Sequence, residues 1–299
     1  LKHSDSTPPL EQAVAFTNAA SQQLIGVWHQ AGAGRPVLVM LHGWTGTRSG
    51  PHQMLTRAAR TFAAAGFNVL RFDFAGRGDS AGDAELATLA TMEQDTRCAV
   101  LWCREKLAPD TPVILLGLCS GCEVAVAAAD AEGVAALALW SAPIVAAAES
   151  KARTAAKRSH HLKTYARKLL RPATYVKLLT GRLDTRSITK VVTKGGGAEA
   201  KNVESTEAGQ LPPGWRAAAL ERFEKAARPQ LMLYGTADPT TAEALEWYRE
   251  HTRSTPQVHL VAGANHSYYS LAWEREVIGV TLKWLNEEKC SREPRKPAP

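Results

Sequence analysis

The 299-residue chain has no run of 18 apolar residues, so a membrane-spanning helix is not expected. Its opening, Leu-Lys-His-Ser-Asp-Ser, has no apolar h-region, so no signal peptide is expected. Cysteine is scarce and odd in number: Cys98, Cys103, Cys119, Cys122 and Cys290, none at metal-ligand spacing from a histidine. That argues against a disulfide scaffold and against a metal site. Free thiols in a reducing, cytoplasmic compartment are the expectation. Nucleic-acid motifs are missing too, and a net charge of +7 does not substitute for one. The length suits one α/β core with an insertion and is too short for three domains.

Acidic residues are nearly missing from one stretch. Residues 151–201 hold 14 Lys or Arg against Asp184 and Glu199 alone, a net +12, and the remainder of the chain is acidic at −5. One reading is a solvated helical face. The other is attraction of an anionic or carrier-linked acyl substrate, or of an anionic membrane surface as a peripheral contact.

What is present is most specific at Leu115-Leu116-Gly117-Leu118-Cys119-Ser120-Gly121-Cys122. An apolar strand turns sharply into an alanine-rich helix, with the spacing Gly-x-nucleophile-x-Gly and cysteine in the middle. Gly117 and Gly121 flank the turn where a Cβ would crowd it. The first helical N–H groups, from Ser120 onward, would face the sulfur, favouring thiolate and a developing oxyanion. Three other readings compete: Cys119 as a small buried residue, Cys119 and Cys122 as a redox Cys-x-x-Cys pair, and Ser120 as the nucleophile. The surroundings do not resemble a thioredoxin-like unit, and Ser120 would need glycine where Leu118 stands.

Strand and helix patterns alternate around this turn. Residues 11–30 predict two antiparallel edge strands, and strands are expected at 37–41, 67–72, 112–117, 134–140, 230–235 and 258–261. Helices are expected at about 51–65, 88–107, 240–252 and 270–288, the second with Leu86, Leu89, Met92, Thr96 and Val100 at helical spacing. Such alternation implies an α/β fold with a doubly wound, mostly parallel sheet. The expected division is a core of residues 1–145 and 226–290, a basic helical cap at 146–225, and a disordered tail at 291–299.

A thiol nucleophile needs a base and the base an orienter, in the chain order nucleophile, acid, histidine. Asp238 in Gly235-Thr236-Ala237-Asp238 and His266 in Gly263-Ala264-Asn265-His266 each fall just past a strand end, so Cys119, Asp238 and His266 are the expected catalytic set. His259 lies within a strand pattern, His160 and His161 within the cap, and Asp79 reads as a loop staple. The expected oxyanion donors are the Ser120 N–H and the Trp44 N–H of His42-Gly43-Trp44-Thr45-Gly46. Trp44, Thr45 and Tyr165 are the expected substrate contacts, Tyr165 on an apolar stripe with Leu169, Leu170, Tyr175, Leu178 and Leu179. The scheme calls for no metal and no cofactor.

Together these motifs resemble the α/β-hydrolases over about residues 11–290. Leu41-His42-Gly43-Trp44-Thr45-Gly46 and Phe72-Asp73-Phe74-Ala75-Gly76-Arg77-Gly78-Asp79-Ser80 resemble the cinnamoyl-esterase and serine-aminopeptidase-like branch. Gly117-Leu118-Cys119, with Thr164 to Pro172 and Lys177 to Gly181, is similar to the exosortase A-associated hydrolases. A cysteine at the turn is also found in dienelactone hydrolases. The resemblance implies a small-molecule acyl substrate and hydrolysis of a carboxylic ester or thioester through an acyl-cysteine. Transfer to a second nucleophile, or binding without turnover, are the alternatives.

Overall fold

In a computed structural model, residues 10–31, 35–144, 211–251 and 255–287 are described. Residues 145–210, most of the cap expected at 146–225, with Tyr165, its apolar stripe, His160 and His161, lie outside the described residues, as do Cys290 and the tail.

Eight strands form a single sheet: β1 Leu10–Thr17, β2 Gln23–Gln30, β3 Val37–Leu41, β4 Asn68–Phe72, β5 Val113–Leu118, β6 Val134–Trp140, β7 Gln230–Gly235 and β8 Gln257–Val261, in the order β1-β2-β4-β3-β5-β6-β7-β8. β1 is antiparallel to β2 and β2 to β4, while every later pairing is parallel. β2 is therefore an inner strand and not the edge its alternation predicts; pairing with β4 buries Leu24, Trp28 and His29. The runs Val-Leu-Val-Met-Leu and Val-Ile-Leu-Leu-Gly-Leu are buried throughout, as expected for parallel strands covered on both faces. Each such large side chain taken from water contributes ~1.5–3 kcal/mol.

The flanking helices are α1 Met54–Ala64, α2 Leu89–Lys106, α3 Ser120–Ala127, α4 Trp215–Ala226, α5 Thr241–His251 and α6 Leu271–Glu287. α2 starts where Thr88 and Thr91 exchange side-chain-to-backbone bonds, a reciprocal cap. That cap leaves Leu86 outside the helix and 73% exposed, although its spacing had suggested the buried stripe. α1 and α6 cover one face together with Met54, Phe62, Trp140 and Trp284. The Trp140 Nε1–H donates to Thr281 Oγ1 of α6 at 3.0 Å, so this buried indole keeps its hydrogen bond.

Helix α4 falls almost wholly inside the span expected for the cap, yet it packs against α3 and bonds to α2 of the core. The compact unit that holds the sheet takes in described residues 211–251 and 255–287, so the core resumes near 211 and not at 226. The reason is chemical. Trp215 Nε1–H donates to Glu93 Oε2 at 2.6 Å, and Arg222 donates to Glu93 Oε1 at 2.9 Å. Ala219 and Phe223 are buried beneath. Both polar contacts join residues more than a hundred positions apart, which periodicity cannot register. No helix among the described residues is long and apolar enough to cross a membrane.

Candidate active site

β5 delivers Cys119 at its carboxyl end, as the residue capping α3. Its backbone is held at φ 55°, ψ −127°, a conformation that side-chain-bearing residues rarely adopt and that costs ~1–3 kcal/mol. Neighbouring bonds enforce it: Cys119 N–H donates to Trp140 O at 2.9 Å, and Cys122 N–H donates to Cys119 O at 2.8 Å. The glycines are explained by contact. A Cβ on Gly121 would lie 2.3 Å from Leu41 O, and one on Gly117 would lie 2.6 Å from Gly121 O. β5, β3 and the start of α3 therefore approach more closely than alanine permits, which is what the spacing of the turn requires.

Asp238 follows β7 and His266 follows β8, both on loops beyond carboxyl strand ends. His266 Nδ1 bonds Asp238 Oδ2 at 2.6 Å. The other carboxylate oxygen, Oδ1, accepts from the Thr240 N–H at 3.0 Å and the Thr240 hydroxyl at 2.8 Å. The far side of the imidazole faces the Cys119 thiol, each shifting the other's pKa, and the Ser120 N–H and hydroxyl act on the same sulfur. Asp238 is 3% exposed at its side chain and His266 39%, so the acid is sealed while the ring keeps an accessible edge.

This arrangement favours charge separation. Burial alone would push the Cys119 thiol up, but the bonds to His266 and Ser120 outweigh it and hold it below its ordinary value. Burial opposes the His266 imidazolium, yet Asp238 and Cys119 raise its pKa to about 10. Asp238 is likewise pulled down by His266 and Thr240 against its own burial. Both shifts run in the direction of a thiolate beside an imidazolium. The other described thiols differ: burial pushes Cys98, Cys103 and Cys122 up. Iodoacetamide should therefore alkylate Cys119 first near neutral pH. With His266→Ala, burial loses its main counterweight, and the alkylation midpoint should rise to the ordinary thiol range of about 8.5 or above. An unmoved midpoint would contradict the coupling of Cys119 to His266.

The loop after β3 lies against the turn: a Cβ on Gly43 would sit 3.4 Å from Cys119 Cβ. The Trp44 N–H, expected to face the substrate, donates instead to Ser120 Oγ at 2.7 Å. Trp44 itself is buried and clamped, with Arg77 Nε donating to its carbonyl at 2.8 Å and the guanidinium 4.8 Å from its ring centroid. Thr45 is exposed in the same loop. His42, in contrast, is structural. It is buried, burial lowers its pKa to about 4, and its Nδ1–H donates to Gly43 O at 2.8 Å while Nε2 accepts from the Phe74 N–H.

Asp79 does staple its loop, pairing with Arg48 at 2.6 Å, and the same arginine reaches the buried Asp73. His259 bonds Glu276 at 2.8 Å on the outer side of β8. Two supports of His266 escaped sequence reasoning. The Ser141 hydroxyl donates to His266 O at 2.9 Å, and the Tyr268 hydroxyl, 3.0 Å from Ser141 Oγ, donates to Leu233 O at 2.8 Å. Ser141 and Tyr268 both hold positive φ, at 53° and 51°. No local pattern marks them, since they are 127 residues apart. Thr240 escaped it as well, although a threonine two residues after an aspartate is a local turn-capping pattern that could have marked it.

The fold fits one family, and the comparison with known proteins bears this out. The chain belongs to the alpha/beta hydrolase family, whose sequence pattern matches residues 38–278. Among curated proteins it is similar to the zebrafish (Danio rerio) lysophosphatidylserine lipase ABHD12, 29% identical over 121 residues, covering 34% of this chain and 30% of that protein. It thus spans under a third of the length of the curated relatives it matches. Among solved structures, the Pyrococcus furiosus esterase Pf2001 superposes with a TM-score of 0.65 at 19% identity, covering 95% of this chain and 94% of that one. A dienelactone hydrolase from Anabaena variabilis superposes with a TM-score of 0.60 at 15% identity, covering 94% and 98%. At such identities the structural likeness concerns the fold.

Proposed function

We propose that the chain hydrolyses carboxylic esters or thioesters through an acyl-Cys119 intermediate, with His266 and Asp238 as its acid–base pair. The observation that carries this reading is the series Cys119, His266, Asp238 gathered at the carboxyl ends of β5, β8 and β7, with His266 bonded to Asp238 and coupled to Cys119. The Cys119 thiolate attacks the acyl carbon, forming an S–C bond and moving the carbonyl π pair onto oxygen. His266 Nε2–H protonates the leaving oxygen or sulfur as its bond to carbon breaks, leaving a thioester on Cys119 and a neutral imidazole. Water then attacks the thioester while His266 Nε2 takes its proton. Collapse releases the carboxylic acid and restores thiolate beside imidazolium. Asp238 keeps the Nδ1–H tautomer throughout and stabilises the imidazolium.

A thiolate is both a good nucleophile and a good leaving group. Acylation is easy from activated donors, while reversal competes with water for an alkyl ester. The reading therefore favours thioesters, aryl esters and lactones. The net +12 of residues 151–201 supports an anionic acyl donor among these. The name of the zebrafish relative, a lysophospholipid lipase, also points to an anionic ester.

A panel of aryl esters, lactones and acyl-CoA thioesters tests it, run on the parent and on Cys119→Ser with an alcohol acceptor present. The expected result is turnover of activated acyl donors by the parent, with free acid as product and a large loss in the serine variant. Ester formation on the alcohol in place of free acid would make the chain an acyltransferase. Equal rates for parent and variant would overturn the thiol mechanism.

A further inference from the structure

We propose that His52 is a positioning residue for His266, its imidazole fixing the turn that carries the base; this rests on the acyl-Cys119 reading. Asn265 to Tyr268 form a tight turn, closed by the Tyr268 N–H donating to Asn265 O at 3.2 Å, with His266 and Ser267 at its two central positions. Both central carbonyls are held by residues distant in the chain. His266 O accepts from the Ser141 hydroxyl at 2.9 Å, and Ser267 O accepts from His52 Nε2–H at 3.1 Å. Ser141 directly follows β6, whereas His52 lies just before α1. The turn is thus pinned by two separate elements, and releasing Ser267 O leaves it free to pivot about His266 O.

A carbonyl only accepts, so the nitrogen facing Ser267 O carries a proton. The other nitrogen, Nδ1, lies 3.3 Å from Arg57 Nη2 and 3.3 Å from Glu274 Oε2. A neutral ring accepts there from Arg57, and an imidazolium donates there to Glu274. Nε2–H meets Ser267 O in either state. Arg57 is itself anchored, on the buried Glu274 carboxylate and on His52 O at 2.7 Å, and the Tyr269 ring packs 4.9 Å from the imidazole. The backbone is strained to set the ring in place. His52 at φ 41°, ψ 35° and Gln53 at φ 65°, ψ 22° are successive left-handed residues that bear side chains. Helix capping does not account for this, since the Gln53 side chain makes no capping bond to α1. The contact with the His266 turn does. The segment after β3 therefore serves both partners of the ion-pair chemistry: it lies against Cys119 at Gly43 and against the turn of the base at His52.

The test compares the full chain with His52→Asn and His52→Gln, by p-nitrophenyl acetate turnover and by the iodoacetamide midpoint of Cys119. Asparagine tolerates left-handed backbone, so this variant keeps its fold. Its amide nitrogen takes the place of Nδ1 and stops short of Ser267 O, whereas that of glutamine reaches the place of Nε2. Displacing a catalytic group by an ångström costs up to about 100-fold, so kcat should fall about 10–100-fold in His52→Asn, with KM within about twofold, and recover to within about threefold of the parent in His52→Gln. The alkylation midpoint should rise in His52→Asn and return in His52→Gln. Parental kcat and midpoint in His52→Asn would overturn the proposal. Equal loss in both variants would overturn it too, since the bond to Ser267 O would not be what matters. So would a raised KM at parental kcat, which would make His52 a substrate contact. An acyl adduct on Cys119 of the parent, with His52→Asn unaffected, sinks this inference alone. No adduct on the parent sinks the acyl-Cys119 reading with it.

Discussion

Cys119→Ala is expected to lower kcat/KM for an aryl ester by at least about 10⁴-fold, with little change in thermal stability. The size follows from the lack of a substitute in the site. Ser120 is bonded to Trp44 and sits one residue out of the nucleophile position. Cys122 is fully buried, its Sγ–H donates to Trp140 O at 3.3 Å, and burial raises its pKa well above the ordinary thiol value. Only the donors around the sulfur remain, and those give the residual catalysis expected once a nucleophile is gone. Stability should hold because the deleted atom is partly accessible and the strained backbone is fixed by main-chain bonds of Cys119 that alanine keeps. Progress curves of p-nitrophenyl ester release, with a thermal melt of each protein, measure both. Retention of most of the parental rate would remove the basis of the mechanism.

The second large effect is predicted for Asp238→Asn, about 10³–10⁴-fold in kcat with KM nearly unchanged. The geometry dictates how the new amide sits. Oδ1 accepts from both the Thr240 N–H and the Thr240 hydroxyl, so the asparagine carbonyl oxygen takes that place. Its NH₂ is then forced toward His266 Nδ1, where Oδ2 now accepts at 2.6 Å. A donor facing Nδ1 demands the opposite tautomer, with the proton on Nε2, and an imidazole in that state cannot take a proton from water during deacylation. It also loses the carboxylate that raises its pKa to about 10. The alkylation midpoint of Cys119 should therefore rise in this variant along with the loss of turnover. A variant that keeps its rate and its alkylation profile would show that Asp238 is not the orienting acid.

Much of this site is local in the sequence, and that explains what could be read in advance. The glycines at 117 and 121, the apolar run before them and the helix after them fix the turn within eight residues, and its backbone is strained where that spacing requires. Asp238 and His266 were legible because each directly follows a strand whose pattern is unbroken. The cap boundary was not, because α4 is tied to α2 by Trp215 and Arg222 reaching Glu93 across more than a hundred positions. The Trp44 amide was expected to be free for the same kind of reason. Its partner, Ser120 Oγ, is 76 residues away, and a loop motif shows that an N–H is present without showing what already holds it. Ser141 and Tyr268 behind His266 are ordinary residues until the segments that follow β6 and β8 come together.

Intact-protein mass after rapid acid quench of an aryl ester reaction, followed by peptide mapping, tests the covalent step most directly. The prediction is one acyl group per chain, located on Cys119, appearing within the burst and disappearing at the rate of product acid formation. Turnover without any adduct on Cys119, or an adduct on another residue that forms and decays at the catalytic rate, would contradict it.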